Sequence, residues 1–437
     1  MSADLELERR RSLLTPAKQA LLAQRLRRGL AEMAAAQAAD GGALPQAVPD
    51  RASAHIPFPL TDRQRACQRV LAQQPEHEAS AYFLEMETRA DVERLRAAWN
   101  RIVQRHHMLR AVVSSTDQWV PLGDTQDAAF GIETQALDDG RVRMQISLDP
   151  LRLDGPSVHL LLMEWGRLYA DPDCRLPDLD LSFRDYAMAW EQFRRTSVYE
   201  SAARYWELQG PALPPPPRLP LAGGDGSPRV VRRVVRVEAE PWAQLRRRAA
   251  AAGLTSSGLL LAIFAKVLSE SSDGSAFTVG VTAFNRLSVH PQVNDIAGPF
   301  SCVVPVALEH DRRASVFDNA AAQRRALWEP AERWPAAPAG PGGALLPVVF
   351  TSALAHFTDG QVAVAHENAS GTSPVAWLGE PVRQFVATPG VRLELTTLEE
   401  EDRLFVAWDA REDLFLPGRL DDLFAEFRAV LTHQAGN

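Results

Sequence analysis

Four consecutive prolines, Pro214 to Pro217, set the first limit on how this chain can fold. Proline has no backbone N–H to give to a helix or a sheet ladder, and its ring holds φ near about −65°. A run of four is therefore an extended, semi-rigid connector. Leu213 precedes it, Arg218-Leu219-Pro220 follow, and Gly223-Gly224-Asp225-Gly226 close it. A domain boundary belongs here, and it divides 437 residues into two parts of ordinary domain size. The expected divisions are an N-terminal helical linker or docking segment (1–52), a first lobe (53–212), the connector (213–228) and a second lobe (229–437).

Composition narrows the function. A hydrophobic share of 46% with 23% charged residues suits a chain with a real core. The balance of 47 Lys and Arg against 55 Asp and Glu gives −8, which argues against nucleic acid as a partner. The longest apolar run, Leu259–Ala265, ends at Lys266 and falls far short of the ~20 residues of a membrane helix. The charged start, Met1-Ser2-Ala3-Asp4-Leu5-Glu6, has no signal core, so a cytoplasmic location is expected. Cys67, Cys174 and Cys302 show no paired spacing, so neither a disulfide framework nor a cysteine-based metal site is expected.

Patterning gives a mixed α and β chain. Thr15-Pro16 opens a helix carrying Leu22, Leu26, Leu30 and Met33, which either docks a neighbouring protein or packs as a linker. Tyr82, Leu84 and Met86 alternate with Glu85 and Glu87 as in a half-buried strand. From Asp91, the residues Val92, Leu95, Trp99, Ile102, Val103 and His106 form one helix face. Of His106 and His107 at its end, packing of one and exposure of the other is favoured over catalysis. Past the connector, strands are expected at Val230–Val237, Phe277–Phe284 and Leu346–Leu354, and helices at Pro241–Gly253, Thr255–Ser269 and Pro417–His433. A hairpin pairs Val391–Leu398 with Leu404–Trp408, turning on Glu399–Asp402, and Trp334–Gly343 reads as a flexible loop.

No phosphate, dinucleotide, metal or Gly-x-Ser-x-Gly motif is present. The chemistry-bearing stretch is Gln145-Ile146-Ser147-Leu148-Asp149-Pro150-Leu151-Arg152-Leu153-Asp154-Gly155-Pro156-Ser157. A strand delivers one aspartate, the chain turns at Pro150, and a second aspartate precedes a helix. Two carboxylates so placed can do acid–base work or can lock the turn through charge-assisted hydrogen bonds. The residues alone leave both open and favour the lock.

Asp149-x4-Asp154-x2-Ser157 resembles the DxxxxDxxS signature of heterocyclization domains of nonribosomal peptide synthetases, a branch of the condensation-domain superfamily. The resemblance runs in order from about Ile56. Pro57-Phe58-Pro59-Leu60-Thr61-Asp62-Arg63-Gln64 is similar to the family's FPLTDxQ, and Arg105-His106-His107-Met108-Leu109-Arg110 to its RHDMLR. Thr282-Ala283-Phe284-Asn285-Arg286-Leu287 and Pro347-Val348-Val349-Phe350-Thr351-Ser352 match its FNR and PVVFTS stretches.

The resemblance implies two chloramphenicol-acetyltransferase-like lobes of mixed α and β structure, a V-shaped pseudo-dimer around a central tunnel. Donor and acceptor carrier proteins, belonging to upstream and downstream synthetase modules, would bring thioesters on phosphopantetheine arms, with no cofactor bound directly. The expected reaction is amide formation with a carrier-bound Cys, Ser or Thr, then cyclodehydration to a thiazoline or oxazoline. Asp154 would pair with Arg286, and Asp149 would support the same turn. Ser157, Asn285 and Ser352 complete the motif residues, and Thr351 with a carboxylate of the TPQxxLD segment would serve ring closure. That segment reads Thr388-Pro389-Gly390-Val391-Arg392-Leu393-Glu394, so the carboxylate is Glu394. The family's GDFTS reads Gly298-Pro299-Phe300-Ser301-Cys302, and the chain between Leu137 and Gln145 is short for the family. These departures define two alternatives, condensation without ring closure and a non-catalytic carrier-binding scaffold. No adenylation or carrier segment is present, so carriers are expected in trans or from a covalent context beyond these residues.

Overall fold

The computed structural model describes residues 44–73, 81–121, 132–222, 229–272, 275–284, 286–338, 340, 345–354, 356–358, 361–363, 374–379 and 381–436. The expected helix at Leu22–Met33, the Gly223–Gly226 run and Asn285 lie outside them. The first half runs β1 (Phe58–Pro59), α1 (Asp62–Gln73), β2 (Ala81–Thr88), α2 (Val92–Arg105), β3 (Val112–Val113), β4 (Asp117–Trp119), β5 (Ile132–Ala136) and β6 (Val142–Leu148). Helices α3 (Gly155–Ala170), α4 (Phe183–Phe193) and α5 (Ser197–Gln209) follow. The Asp91 carboxylate caps α2 by accepting from the Arg94 N–H at 3.1 Å. Leu95, Trp99, Ile102 and Val103 are buried on α2, as their spacing predicts, and Trp99 meets Trp165 of α3 edge to face at 5.2 Å. His106 is buried against Glu164 (2.8 Å), while His107 is half-buried in a cleft, which corrects the expectation that it is exposed.

The second half runs β7 (Val230–Val237), α6 (Ala239–Ala251), α7 (Ser256–Glu270), β8 (Ala276–Ala283), β9 (Cys302–Glu309), α8 (Val316–Glu332), β10 (Val348–Ser352), β11 (His356–Thr358) and β12 (Gln361–Ala363). It closes with β13 (Pro381–Ala387), β14 (Leu393–Glu400), β15 (Arg403–Arg411) and α9 (Arg419–Gly436). Six strands form one sheet in the order β7-β15-β14-β10-β8-β9. Strand β10 is parallel to both β14 and β8, and the other pairs are antiparallel. The apolar run in α7 is buried all round because the helix lies against the sheet with α6, α8 and α9 about it. No single described helix is long and apolar enough to cross a bilayer. The β14–β15 turn falls on Glu401 (φ 49°) and Asp402 (φ 62°), inside the acidic run named above.

Side chains alternate across this sheet, so its two faces differ. Val348, Phe350, Leu393, Leu395, Val406 and Trp408 belong to the helix-covered core. The other face carries Thr282, Thr351, Glu394, Asp409 and Arg232. Against it stands β13, which leaves its own sheet and completes that of the first half, in the order β13-β2-β6-β5. Phe385 lies opposite Phe83 of β2, and their rings stack at 4.9 Å. The halves are therefore bound through the backbone.

The proline connector is strapped to the second half. The Pro214 carbonyl accepts from the Thr278 hydroxyl (2.6 Å), the Pro215 carbonyl from the Thr278 N–H (3.0 Å) and the Pro220 carbonyl from the Leu416 N–H (2.9 Å). Trp334–Ala336, expected as flexible loop, forms a 3-10 turn held by Trp190 at 5.4 Å between rings.

Candidate active site

The site begins with the cap of α1. The Thr61 hydroxyl accepts from the Gln64 N–H (3.2 Å), and the Gln64 side-chain oxygen accepts from the Thr61 N–H (2.8 Å), a reciprocal cap. Gln64 also donates to the Leu151 carbonyl at 2.6 Å, so the cap holds the turn that carries the two aspartates.

Within that turn, Asp149 accepts from the Leu151 N–H at 2.8 Å and lies 3.5 Å from Arg152. Burial raises its pKa, opposed by that N–H and by Arg152. Asp154 is the N-cap of α3 and is 1% exposed. One carboxylate oxygen accepts from the Ser157 N–H (2.9 Å) and hydroxyl (2.6 Å), the other from the Ser301 N–H (3.0 Å) and hydroxyl (2.8 Å). The Arg286 guanidinium is 3.6 Å away and also donates to Ser157 (3.2 Å) and to the carbonyls of Val293 (2.7 Å) and Ile296 (2.9 Å). Its face lies 3.9 Å from the Phe300 ring centre. Asp154 and Ser157 come from the first half and Arg286 and Ser301 from the second, so this knot joins the two. Gly298 is part of it. Its N–H donates to Ser157 (3.0 Å), its carbonyl accepts from the Asp154 N–H (3.1 Å), and a Cβ there would sit 2.3 Å from Phe183.

Thr351 and Glu394 lie 43 residues apart in sequence and on neighbouring parallel strands. The Thr351 hydroxyl donates to the Glu394 carboxylate at 2.8 Å. Thr282 lies 2.7 Å from the Thr351 hydroxyl and, since that proton is committed to Glu394, donates to it. The longer side chain of Glu394 thus still reaches the threonine. Burial pushes the Glu394 pKa up; the Thr351 bond, Arg63 and Arg232 pull it down, and Asp409 adds to the rise. Asp409 faces Glu394 across the ladder and is held bidentate by Arg232 at 2.8 and 2.6 Å. Glu394, Arg63 and Tyr82 are half-buried.

Ser352 does not join this group. It lies on the helix-facing side of β10, 2.6 Å from the Ser257 hydroxyl and 3.0 Å from Thr397, so it ties the strand to α7. Thr282, Asp409 and Arg232 belong to the polar face, and residue patterning missed them because only strand register brings them beside Glu394. Among the described residues no three His, Cys, Asp or Glu side chains converge as a metal site.

Comparison with known proteins bears on the family of the chain. A condensation-domain family model matches residues 126–329. Pyochelin synthetase PchF of Pseudomonas aeruginosa is 29% identical over 450 residues, covering 91% of this chain and 24% of that protein. Phenyloxazoline synthase MbtB of Mycolicibacterium paratuberculosis is 31% identical over 314 residues, covering 68% and 26%. The chain thus spans about a quarter of the length of these curated relatives. The cyclization-docking bidomain of the nonribosomal peptide synthetase EpoB from Sorangium cellulosum superposes with a TM-score of 0.82 at 27% identity, over 97% of this chain and 92% of that one. The chain belongs to the condensation-domain superfamily of nonribosomal peptide synthetases and stands with its heterocyclization branch.

Proposed function

We propose that this domain joins a carrier-bound acyl group to the amine of a carrier-bound Cys, Ser or Thr and then closes the side chain onto the new amide with loss of water. The observation that carries the reading is the enclosed Thr351–Glu394 hydrogen bond at 2.8 Å. In ring closure the thiol or hydroxyl attacks the amide carbon, and its proton passes to Glu394 as the carbonyl oxygen gains the electron pair. Glu394 returns that proton to the oxygen, making a hydroxyl, then takes the N–H proton and passes it to the hydroxyl as C=N forms and water departs. A carboxyl whose pKa is raised by burial holds and releases a proton more readily near neutral pH than an exposed one. Thr351, braced by Thr282, aims it. Tethering both substrates supplies much of the entropy.

Asp154, Ser157 and Arg286 act in this reading as the joint that holds the two halves together around the tunnel expected of the family, and Asp149 as the brace of the same turn. The substrates would arrive on phosphopantetheine arms of donor and acceptor carriers, and no cofactor would be bound directly. Residues 1–52 would meet an upstream module, which the similarity to a cyclization-docking bidomain supports. A cytoplasmic location fits such work. Condensation without ring closure is the second reading, favoured by a glutamate standing where the family carries aspartate.

The test is intact-mass analysis of an acceptor carrier loaded in turn with Cys, Ser and Thr and incubated with this domain and an acyl-loaded donor carrier. A product lighter by one water than the linear thioester supports ring closure. The linear mass alone favours the second reading. No transfer to any acceptor removes both and leaves a scaffold.

A further inference from the structure

Two carboxyls face each other on the polar side of the large sheet, and the scheme above uses only one of them. Glu394 of β14 and Asp409 of β15 are directly opposed in the antiparallel ladder. Side chains so paired share a face, with Cβ atoms about 4.5–5.5 Å apart. Trp408 belongs to the helix-covered core, so alternation along β15 commits Asp409 to this side. Asp409 is opposed in turn by Arg232 of β7, which makes a row of three charged residues across three strands.

The two carboxyls are held differently. Asp409 is 3% exposed and accepts from the Arg232 Nε (2.8 Å) and Nη2 (2.6 Å) and from the Val386 N–H of β13. Glu394 is half-buried and accepts from the Thr351 hydroxyl at 2.8 Å. Burial raises the proton affinity of both, so their partners decide which of them takes a proton first. A bidentate guanidinium with an N–H favours the ionised form more strongly than a hydroxyl does. Arg63 of α1 works the other way, lowering the proton affinity of Glu394 through its charge. Tyr82 of β2, pushed up to about 12, stays neutral, and Arg383 of β13 lies over the Phe83 and Phe385 rings.

We propose that Arg232 and Asp409 are positioning residues for ring closure: the guanidinium keeps Asp409 ionised, so the proton leaving the attacking thiol or hydroxyl goes to Glu394, and the fixed charge of Asp409 strengthens the hold of Glu394 on it. The inference rests on the ring-closing reading above. The proton leaves S–H or O–H as the C–S or C–O bond forms, and stays on Glu394 until it passes to the oxygen that departs as water. On Asp409 it would lie a strand spacing, about 4.7–4.9 Å, from the carboxyl that Thr351 aims.

The test follows carboxyl titration of the full chain by infrared difference spectroscopy, and single-turnover water loss by intact mass with carrier-bound substrates over the same pH range. A carboxyl band titrating above the ordinary range should vanish in Glu394→Gln and persist in Asp409→Asn, there with its midpoint lowered by about one unit. The acid limb of the water-loss profile should move down with it. Arg232→Met should bring in a second raised carboxyl that is absent from Arg232→Met/Asp409→Asn, and Arg232→Lys should suppress it in part. An unmoved Glu394 midpoint in Asp409→Asn overturns the proposal, as does a raised band that vanishes in Asp409→Asn instead of Glu394→Gln. A water-loss midpoint that shifts while the infrared midpoint of Glu394 stays in place also overturns it, because the effect would not pass through Glu394. If Asp409→Asn fails to fold, the two Arg232 variants carry the measurement, and wild-type titration in both overturns the proposal. If wild type forms no ring, the ring-closing reading falls, and the infrared midpoints alone then uphold or overturn the assignment of the proton to Glu394.

Discussion

Replacing Asp154 by alanine tests the joint between the two halves. The carboxylate accepts four hydrogen bonds and faces a guanidinium that is 5% exposed, so its loss orphans the Ser157 and Ser301 N–H groups and leaves a buried cation without its counter-charge. Breaking a buried pair from one side costs about 3–5 kcal/mol. The unfolding entropy of a chain this long, at about 2.1 cal/mol/K per residue, is roughly 0.9 kcal/mol/K, so a loss of about 4 kcal/mol lowers the melting temperature by about 4 °C. Asp154→Asn keeps one acceptor for the Ser157 N–H but turns an amide toward the Ser301 N–H, and should fall between. Arg286→Ala alone also loses the Val293 and Ile296 carbonyl contacts and the Phe300 stack. The double variant should therefore be less damaged than the two singles summed, by about 0.5–3 kcal/mol. Thermal unfolding of the four proteins decides the matter. An Asp154→Ala melting temperature within a degree of wild type, or strict additivity in the cycle, would refute the reasoning.

Further outcomes follow from the geometry. Thr351→Ala should leave linear amide formation near wild type and slow water loss, and Glu394→Gln should slow it about 100- to 10,000-fold, read by intact mass. Because the folded-state pKa of Glu394 is raised, its charge destabilises the fold above that pKa; Glu394→Gln should raise the melting temperature near pH 8, and the gain should vanish as pH falls through 4.5. Gly298→Ala places a Cβ 2.3 Å from the Phe183 ring and should cost about 1–3 kcal/mol in urea unfolding. Glu426 of α9 is raised to about 7 by burial and by its neighbour Glu270, so stability should decline from pH 4.5 to about 7 and then level, a slope that Glu426→Gln should flatten.

Local patterning was enough for the elements whose partners are indifferent. Helix α7 is apolar on every side, so its burial could be read before anything was known of what covers it. Strand β7 matches its expected span at both ends, because Val230–Val237 is a β-branched run interrupted only by Arg232, Arg233 and Arg236. The Thr351–Glu394 pair is different: no local rule joins residues 43 apart, and the expectation came from resemblance to a family. Ser352 shows the limit of such a motif, since the residue after Thr351 must point to the opposite face of the strand. Strand β13 was missed because Pro381-Val382-Arg383-Gln384-Phe385-Val386-Ala387 has no sustained alternation and is mostly half-exposed. Arg63 entered only as one position of the stretch resembling FPLTDxQ, and only the fold brings Glu394 and Asp154 within reach of its charge.

The lending of β13 to the sheet of the first half has a consequence for how the chain is made. Strand β2 leaves the ribosome with β6 soon behind it, but its other neighbour begins at Pro381, almost 300 residues beyond Thr88. At about 5–20 residues per second this edge waits roughly 15–60 s for its partner. An open edge is a template for pairing with another nascent chain. Glu85 and Glu87, placed along β2 and matched by Arg143 on β6 (Arg143 to Glu87 at 2.6 Å), keep charge on the waiting strand. A first half released without its second would keep that edge open for good.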